Sequence, residues 1–407
     1  MTTETVEVTP SVEPPFESFG TRLWENIKGG NLGSAPVAIG LTIIVIVFSL
    51  TADNFFTPVN FNNIITQMVG TTMLAFGVVF VLLLGEIDLS IAYLSGIAGL
   101  VAAELQQPDS GHFLPGIWPI LIALAVAVAI GAFQGSFVAL IGVPAFVVTL
   151  AGLLAWQGVI QVGIGSGGPI IIQNRWINYT ESYFFSKDAG WLIAGLLSAA
   201  YVGGTAASIL SQRRHGVTIR YPYFVAAKLI AIPALAFLVV TISNRDRGLP
   251  LAGLEIIFFL LFWTFIAKRT TFGRHVYAVG GNAEAARRAG ISVARIRILV
   301  FMISGLMAGV GGIVLAANVR SVAPGQGGGT LLLDAISAAV IGGTSLFGGR
   351  GNIRSAVLGA AVIATIANGL FIFQFSPGVI FITTGCILLF AVTLDTIARK
   401  RQAKTGR

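Results

Sequence analysis

The sequence predicts an all-α polytopic membrane protein of about twelve transmembrane helices, with ten to twelve the range that run length allows. Three observations carry that expectation. Hydrophobic residues make up 55% of the chain and charged residues only 10%, whereas a soluble domain carries about 25% charge. Mean hydropathy is +0.86. Apolar runs near spanning length follow one another along almost the whole chain. So few charges could not cover a water-exposed surface, so lipid is the expected solvent.

A spanning helix needs about 20 mostly apolar residues. Runs of that kind lie at 35–52, 64–84, 91–105, 117–141, 145–164, 190–210, 222–243, 250–267, 296–319, 332–347, 355–375 and 378–397. The third and tenth are short and contain glycine, so broken or re-entrant segments are the alternative to full crossings. Residues 1–34 are acidic and Pro-containing, lack the apolar core of a cleavable signal, and read as a disordered tail. The membrane domain is expected over 35–397, followed by a basic tail at 398–407.

Charge sets the direction. With the N-terminus inside and all runs crossing, 20 of the 25 lysines and arginines fall on the inner side, counting Lys228 as snorkelling there. Arg175, Lys187, Arg245, Arg247 and Arg320 remain outside. The positive-inside bias places both termini in the cytoplasm. The net charge of +8 sits in short segments between apolar runs, so nucleic acid is not an expected partner.

Catalytic machinery is not evident. His112, His215 and His275 are isolated and lack metal-ligand spacing. No Gly-Lys dipeptide exists to build a phosphate loop, and no serine sits in a G-x-S-x-G elbow. The single cysteine, Cys386, lies in an apolar run and is expected to be a buried thiol. Trp118, Trp191 and Trp263 lie near span ends and read as interfacial anchors. Gly131/Gly135 and Gly305/Gly309 have the G-x-x-x-G spacing of close helix packing.

The strongly basic inner segment is 268–297, with residues 268–295 forming the loop between two spans. Asn282 is a good N-cap, Glu284 falls in the first turn, Arg287 and Arg288 in the last, and Gly290 suits the position after the C-cap. A short, well-delimited helix is expected there, which a plain connection would not need.

Two glycine-polar turns stand apart. The second run ends in VLLLGEIDLS, with Glu86, Asp88 and Ser90; the tenth ends in AVIGGTSLFGGRG, with Thr344 and Ser345. Setting Leu84–Leu89 against Ile341–Leu346 suggests a parallel internal duplication. Carboxylates beside an apolar stretch are costly and face a cavity, a partner or the surface. Glu86 and Asp88 therefore fit either a pathway position or a capping pair that orients the bend. Asp334 fits a helix N-cap or a binding residue, and Asn368 an interhelical hydrogen bond or a substrate contact.

Glu284-Ala285-Ala286-x-x-x-Gly290 resembles the EAA-x-x-x-G loop of ABC-type import permeases, although the later I-x-L-P portion is absent. The longer string GRHVYAVGGNAEAARRAGI is similar to the same loop in monosaccharide permeases of the ribose/xylose/arabinose class. GEIDLS, LDAISAAVIGGTSLFGGRG and Asn368-Gly369 resemble further motifs of that class, in order, over nearly the whole chain. Glu86 replaces a common glycine, Ile91-Ala92-Tyr93 alters the usual continuation, and 188–245 adds two spans, as in xylose-type permeases.

The resemblance implies the ABC importer permease fold and an ATP-driven pentose importer of the bacterial inner membrane. It also implies a homodimeric permease with an ATP-binding cassette subunit docked on Asn282–Gly290 and an extracytoplasmic sugar-binding protein. No cofactor is implied. The rival readings are an ion-coupled secondary sugar transporter, which would want a charged site at mid-membrane, and an enzyme acting on lipid-linked sugars.

Overall fold

The computed structural model describes residues 35–216 and 222–404. The expected 1–34 tail, Arg220, and the last three residues of the basic tail lie outside the described residues.

Among the described residues, twelve apolar helices follow one another. They are α1 (Ala35–Thr51), α2 (Pro58–Leu83), α3 (Ile91–Leu105), α4 (Trp118–Ser136, continued by a π-helical turn to Ile141) and α5 (Ala145–Ile164). After a short surface helix, α6 (Arg175–Ser182), come α7 (Lys187–Arg214), α8 (Pro222–Ser243) and α9 (Leu251–Arg269). Two small helices, α10 (Thr271–Gly281) and α11 (Ala283–Arg288), lead into α12 (Val293–Val319), α13 (Leu331–Ile341), α14 (Ile353–Ile372) and α15 (Pro377–Lys404). Among the described residues, eight helices are long and apolar enough to cross a bilayer, and four shorter apolar ones fall below that length.

The local sequence explains the boundaries. Thr57 caps α2 by accepting from the Asn60 N–H, with Pro58 at the first helical position. Asn352 caps α14 in the same way. The tenth run, expected to reach residue 347, ends as a helix at Ile341, because Gly343 has φ +95° and reverses the chain.

Connections gather into two layers. In one, the turns 84–90 and 342–352 meet α10: Gly349 N–H donates to Leu83 O at 2.9 Å and the Tyr277 hydroxyl to Gly351 O at 2.9 Å. In the other, Gln106 bonds Ile171 O, Asn62 bonds Asp246, and Asn318 bonds Glu181. Two antiparallel two-residue ladders lie in this second layer, β1 (Ile170–Ile171) with β4 (Ser321–Val322) and β2 (Phe184–Phe185) with β3 (Leu249–Pro250). The short helix α3 leaves the turn 84–90 and ends beside Gln106 in the second layer, whereas the segment before α13 dips back onto the start of α3, where a methyl group on Gly327 would overlap Ala92 O.

The centre of the bundle is α2 with α12. Of the hydrophobic windows of the long helices, that of α2 is 78% buried and that of α12 61%, against 6% for both α7 and α8. α7 and α8 therefore form a peripheral hairpin, pinned by Trp191 stacked on Phe237 and by the Asn244 side chain donating to Lys187 O. Their exposed faces carry Leu192, Leu196, Ile230 and Leu235, a surface suited to lipid.

The two G-x-x-x-G pairs face each other across the α4–α12 contact. A methyl group on Gly131 would overlap Phe301 O, and one on Gly305 would overlap Ala127 O. With no hydrophobic drive between helices in lipid, this backbone approach supplies the contact. Two expectations change. Cys386 is exposed on α15, because that helix packs through Thr384 and turns its neighbours outward. Trp263 is 4% exposed, edge-on to Phe80 and donating to Met307 Sδ, so it fills the core while Trp118 and Trp191 stay exposed.

Gly305→Leu should destabilise the protein by about 1–3 kcal/mol through overpacking, read as a lower midpoint of thermal unfolding in detergent. Gly203→Leu, where an added side chain meets open space, should leave the midpoint within experimental error.

Candidate functional site

The loop after α9 is two helices, not one. Thr270 caps α10 by accepting from the Gly273 N–H, and α10 ends at Gly281. Asn282 then caps α11, its Oδ1 accepting from the Ala285 N–H at 2.9 Å, with Glu284 in the first turn as expected. At the far end Gly290 has φ +83°. Its N–H donates to Arg287 O and that of Ile291 to Ala286 O, the paired bonds of a Schellman stop.

On α11, Glu284 pairs with Arg287 at 3.1 Å and Arg288 at 3.2 Å, all three side chains more than half exposed. Such pairs contribute only about 0.2–0.5 kcal/mol each to a helix. Ala286 is buried and Ala283 packs partly buried against the core, so the helix offers a charged outer face on a fixed base. In α10, burial pushes the Tyr277 hydroxyl above its ordinary pKa, which keeps it a donor to Gly351 O.

Both glycine-polar turns begin with the same helix stop. Gly85 N–H donates to Leu82 O and Glu86 N–H to Val81 O; Gly343 N–H donates to Val340 O and Thr344 N–H to Ala339 O. The left-handed residues are Gly85 (φ +77°) and Gly343 (φ +95°), so the helix ends correspond one residue away from the alignment read in the sequence. Further on, Asp88 Oδ1 accepts from the Ser90 N–H, and Ser345 Oγ from the Phe347 N–H.

The turns and α10 touch through backbone. A methyl group on Gly280 would overlap Leu83 O and lie 2.9 Å from Gly349 N; one on Gly348 would lie 2.7 Å from Gly280 O and 2.9 Å from Gly85 N. Only glycine lets three backbone segments close in this way.

From this junction the GEIDLS turn reaches α12. Arg297 forms an ion pair with Glu86 at 2.7 Å, and Ser304 donates to Asp88 Oδ2 at 2.7 Å. Ser90 donates to Asp88 Oδ1 at 2.7 Å and lies 3.1 Å from the Gln134 side chain of α4. Thr344 is buried in the neighbouring turn, its hydroxyl without a partner among the described residues.

The structure thus gathers Glu86, Asp88, Ser90, Thr344 and Ser345 beside the loop that holds Asn282–Gly290. Asp334 and Asn368 lie elsewhere. Asp334, in the first turn of α13, accepts from Thr330 at 2.7 Å. Asn368 joins α14 to α2, accepting from Asn60 at 2.9 Å and donating to Gln67 at 3.1 Å. Sequence reading missed Arg297, Ser304, Gln134 and Tyr277. In the sequence Arg297 is one basic residue among those of 268–297, yet a cation entering an apolar helix and the unmatched Glu86 are natural partners.

A bundle of apolar helices with one capped, charged loop locked onto its glycine-polar turns has the build of a membrane transport permease. The chain belongs to the family described as branched-chain amino acid transport system / permease component, which matches residues 60–393. It is 34% identical over 383 residues to the xylose transport system permease protein of Escherichia coli (strain K12), covering 93% of this chain and 95% of that one. Identity to the xylose transport system permease protein of Haemophilus influenzae is 32%, covering 92% and 99%. To the ribose import permease protein of Escherichia coli (strain K12) it is 31%, covering 88% and 92%. No solved structure matches the chain.

Arg297→Ala should leave Glu86, whose side chain is 11% exposed, without its counter-charge. Its cost should be about 1–3 kcal/mol, at the lower end because Arg297 is partly solvated. The exchange Glu86→Arg/Arg297→Glu should recover part of the unfolding midpoint, whereas additive losses would show the two groups to be uncoupled.

Proposed function

We propose that this chain is the membrane-spanning subunit of an ATP-driven monosaccharide importer in the bacterial inner membrane, carrying xylose or a related pentose. The observation that carries the reading is the capped helix α11, held through Gly280 and α12 against both glycine-polar turns. The names of the relatives supply the substrate class.

On this reading all twelve apolar helices cross, with both termini cytoplasmic. Support comes from the alternation of the connections between two layers and from the charge bias of the inner layer. Two copies form the pathway, and an extracytoplasmic sugar-binding protein delivers to the layer that holds the two ladders.

An ATP-binding cassette subunit docks on α11, where Asn282, Ala285, Ala286 and Gly290 shape the helix and Glu284, Arg287 and Arg288 present the charges. ATP is hydrolysed on that separate subunit. Cassette closure displaces α11; the stiff start of α12 carries the shift to Glu86 through Arg297 and to Asp88 through Ser304, re-aiming the turns that close the inner end of the pathway. Asp88 spends both oxygens on Ser90 and Ser304, so it holds the turn rather than the sugar in this conformation. Thr344 and Ser345 shape the companion turn, while Asp334 and Asn368 lie along the route further out.

The test is co-purification with the cassette subunit together with ATP-dependent sugar uptake in vesicles. Glu284→Ala and Arg287→Glu should weaken both while leaving the unfolding midpoint unchanged, since the pairs they break are exposed. Wild-type assembly and uptake in both variants would remove the docking assignment. Uptake by the chain alone, driven by a proton or sodium gradient, would turn the reading to a secondary transporter.

A further inference from the structure

Between the inner ends of α4, α9 and α12 lies a groove of about 480 Å³, lined by Val128, Trp263, Phe272, Leu299, Met302 and Leu306 among others. Its polar groups are already spent. Trp263 Nε1 donates to Met307 Sδ, and the Thr270 hydroxyl donates to Ile266 O at 2.6 Å and accepts from the Gly273 N–H at 3.2 Å. Nothing in the lining is left to recognise a sugar or hold a water, so the occupant is a hydrocarbon. The groove is open at the side, where Leu299 is 42% exposed.

Its length and charge narrow the choice. Leu299 to Leu306 spans about 10 Å of helix, roughly a third of a hydrocarbon core of about 30 Å. Arg295 stands one turn before Leu299 on the same face of α12, and Arg269 and Arg274 flank Thr270 and Phe272 in sequence. All three arginines are exposed, and none has a carboxylate partner among the described residues. An apolar slot that ends at guanidinium groups is complementary to an acyl chain joined to a negatively charged head.

We propose that the groove binds an anionic phospholipid of the cytoplasmic leaflet, one acyl chain in the slot and the phosphate against Arg269, Arg274 and Arg295. The inference rests on the orientation that puts the 268–297 segment inside. Two of the three walls of the groove, α9 and α12, are the segments that enter and leave the α10–α11 loop, so the bound lipid stiffens the base on which that loop moves.

Native mass spectrometry of the full-length protein released from detergent tests this, with phosphatidylglycerol and phosphatidylcholine of identical chains as probes. Wild type should retain phosphatidylglycerol several-fold more than phosphatidylcholine. Ile303→Trp, which fills the slot, should lose both. The triple variant Arg269→Gln/Arg274→Gln/Arg295→Gln leaves the slot intact and should hold both lipids equally, so it reads the headgroup contact even where the tryptophan variant fails to insert. Equal retention by wild type, or a preference untouched in the arginine variant, would overturn the proposal. So would a wild-type dimer without lipid that Ile303→Trp converts to monomer, which would give this face to a second copy. Failure of the importer reading would show in uptake and not in lipid retention.

Discussion

At one end of the bundle three stretches of backbone meet with no side chain between them. Gly280 at the end of α10 lies on Leu83 O, Gly348 lies on Gly280 O and Gly85 N, and Gly349 donates to Leu83 O. A hydrogen-bonded, close-packed backbone contact of this kind cannot slide far without opening, and opening would orphan polar groups where water is scarce. The loop carrying α11 is consequently not a tether between spans. It is one face of a joint whose other faces are the glycine-polar turns.

The joint has a lever in α12. This helix starts three residues after the Gly290 stop, meets Glu86 through Arg297, meets Asp88 through Ser304, and then packs its glycines on α4 and α3, where Gly312 lies against Ser95 O. Each contact is at backbone distance or is charge-assisted, which supports the proposal that displacement at its start reaches the turn before side-chain rearrangement absorbs it. By contrast the α7–α8 hairpin touches the bundle at one end and buries little of itself. It adds surface in lipid and stands away from the joint.

Much of this was legible beforehand. The α11 helix was written in Asn282, Glu284, Arg287, Arg288 and Gly290, because capping is local chemistry. The gathering of basic residues in the segments between apolar runs likewise follows from lipid alone. What could not be read was mutual placement. Gly131/Gly135 and Gly305/Gly309 gave no sign that they faced one another, since any tight bundle shows such spacing. Arg297 and Glu86 are separated by about half of the chain and become a pair only when α12 lies beside α2. The internal alignment was one residue out at the helix ends because Gly342 and Gly343 are both glycine, and only backbone dihedrals reveal which takes the left-handed turn. α10 escaped notice because TFGRHVYAVGG carries β-branched and glycine residues that argue against a helix; burial of Val276 and Val279 outweighs that preference.

The decisive measurement is sugar uptake per ATP hydrolysed by the importer reconstituted with Gly280→Ala, set beside Gly281→Ala, whose added methyl meets open space. If the backbone joint transmits the cassette's motion, the Gly280 variant should still bind its ATPase and hydrolyse ATP while uptake falls to a small fraction of wild type, and the Gly281 variant should behave as wild type. Undiminished uptake per ATP in the Gly280 variant would contradict the account.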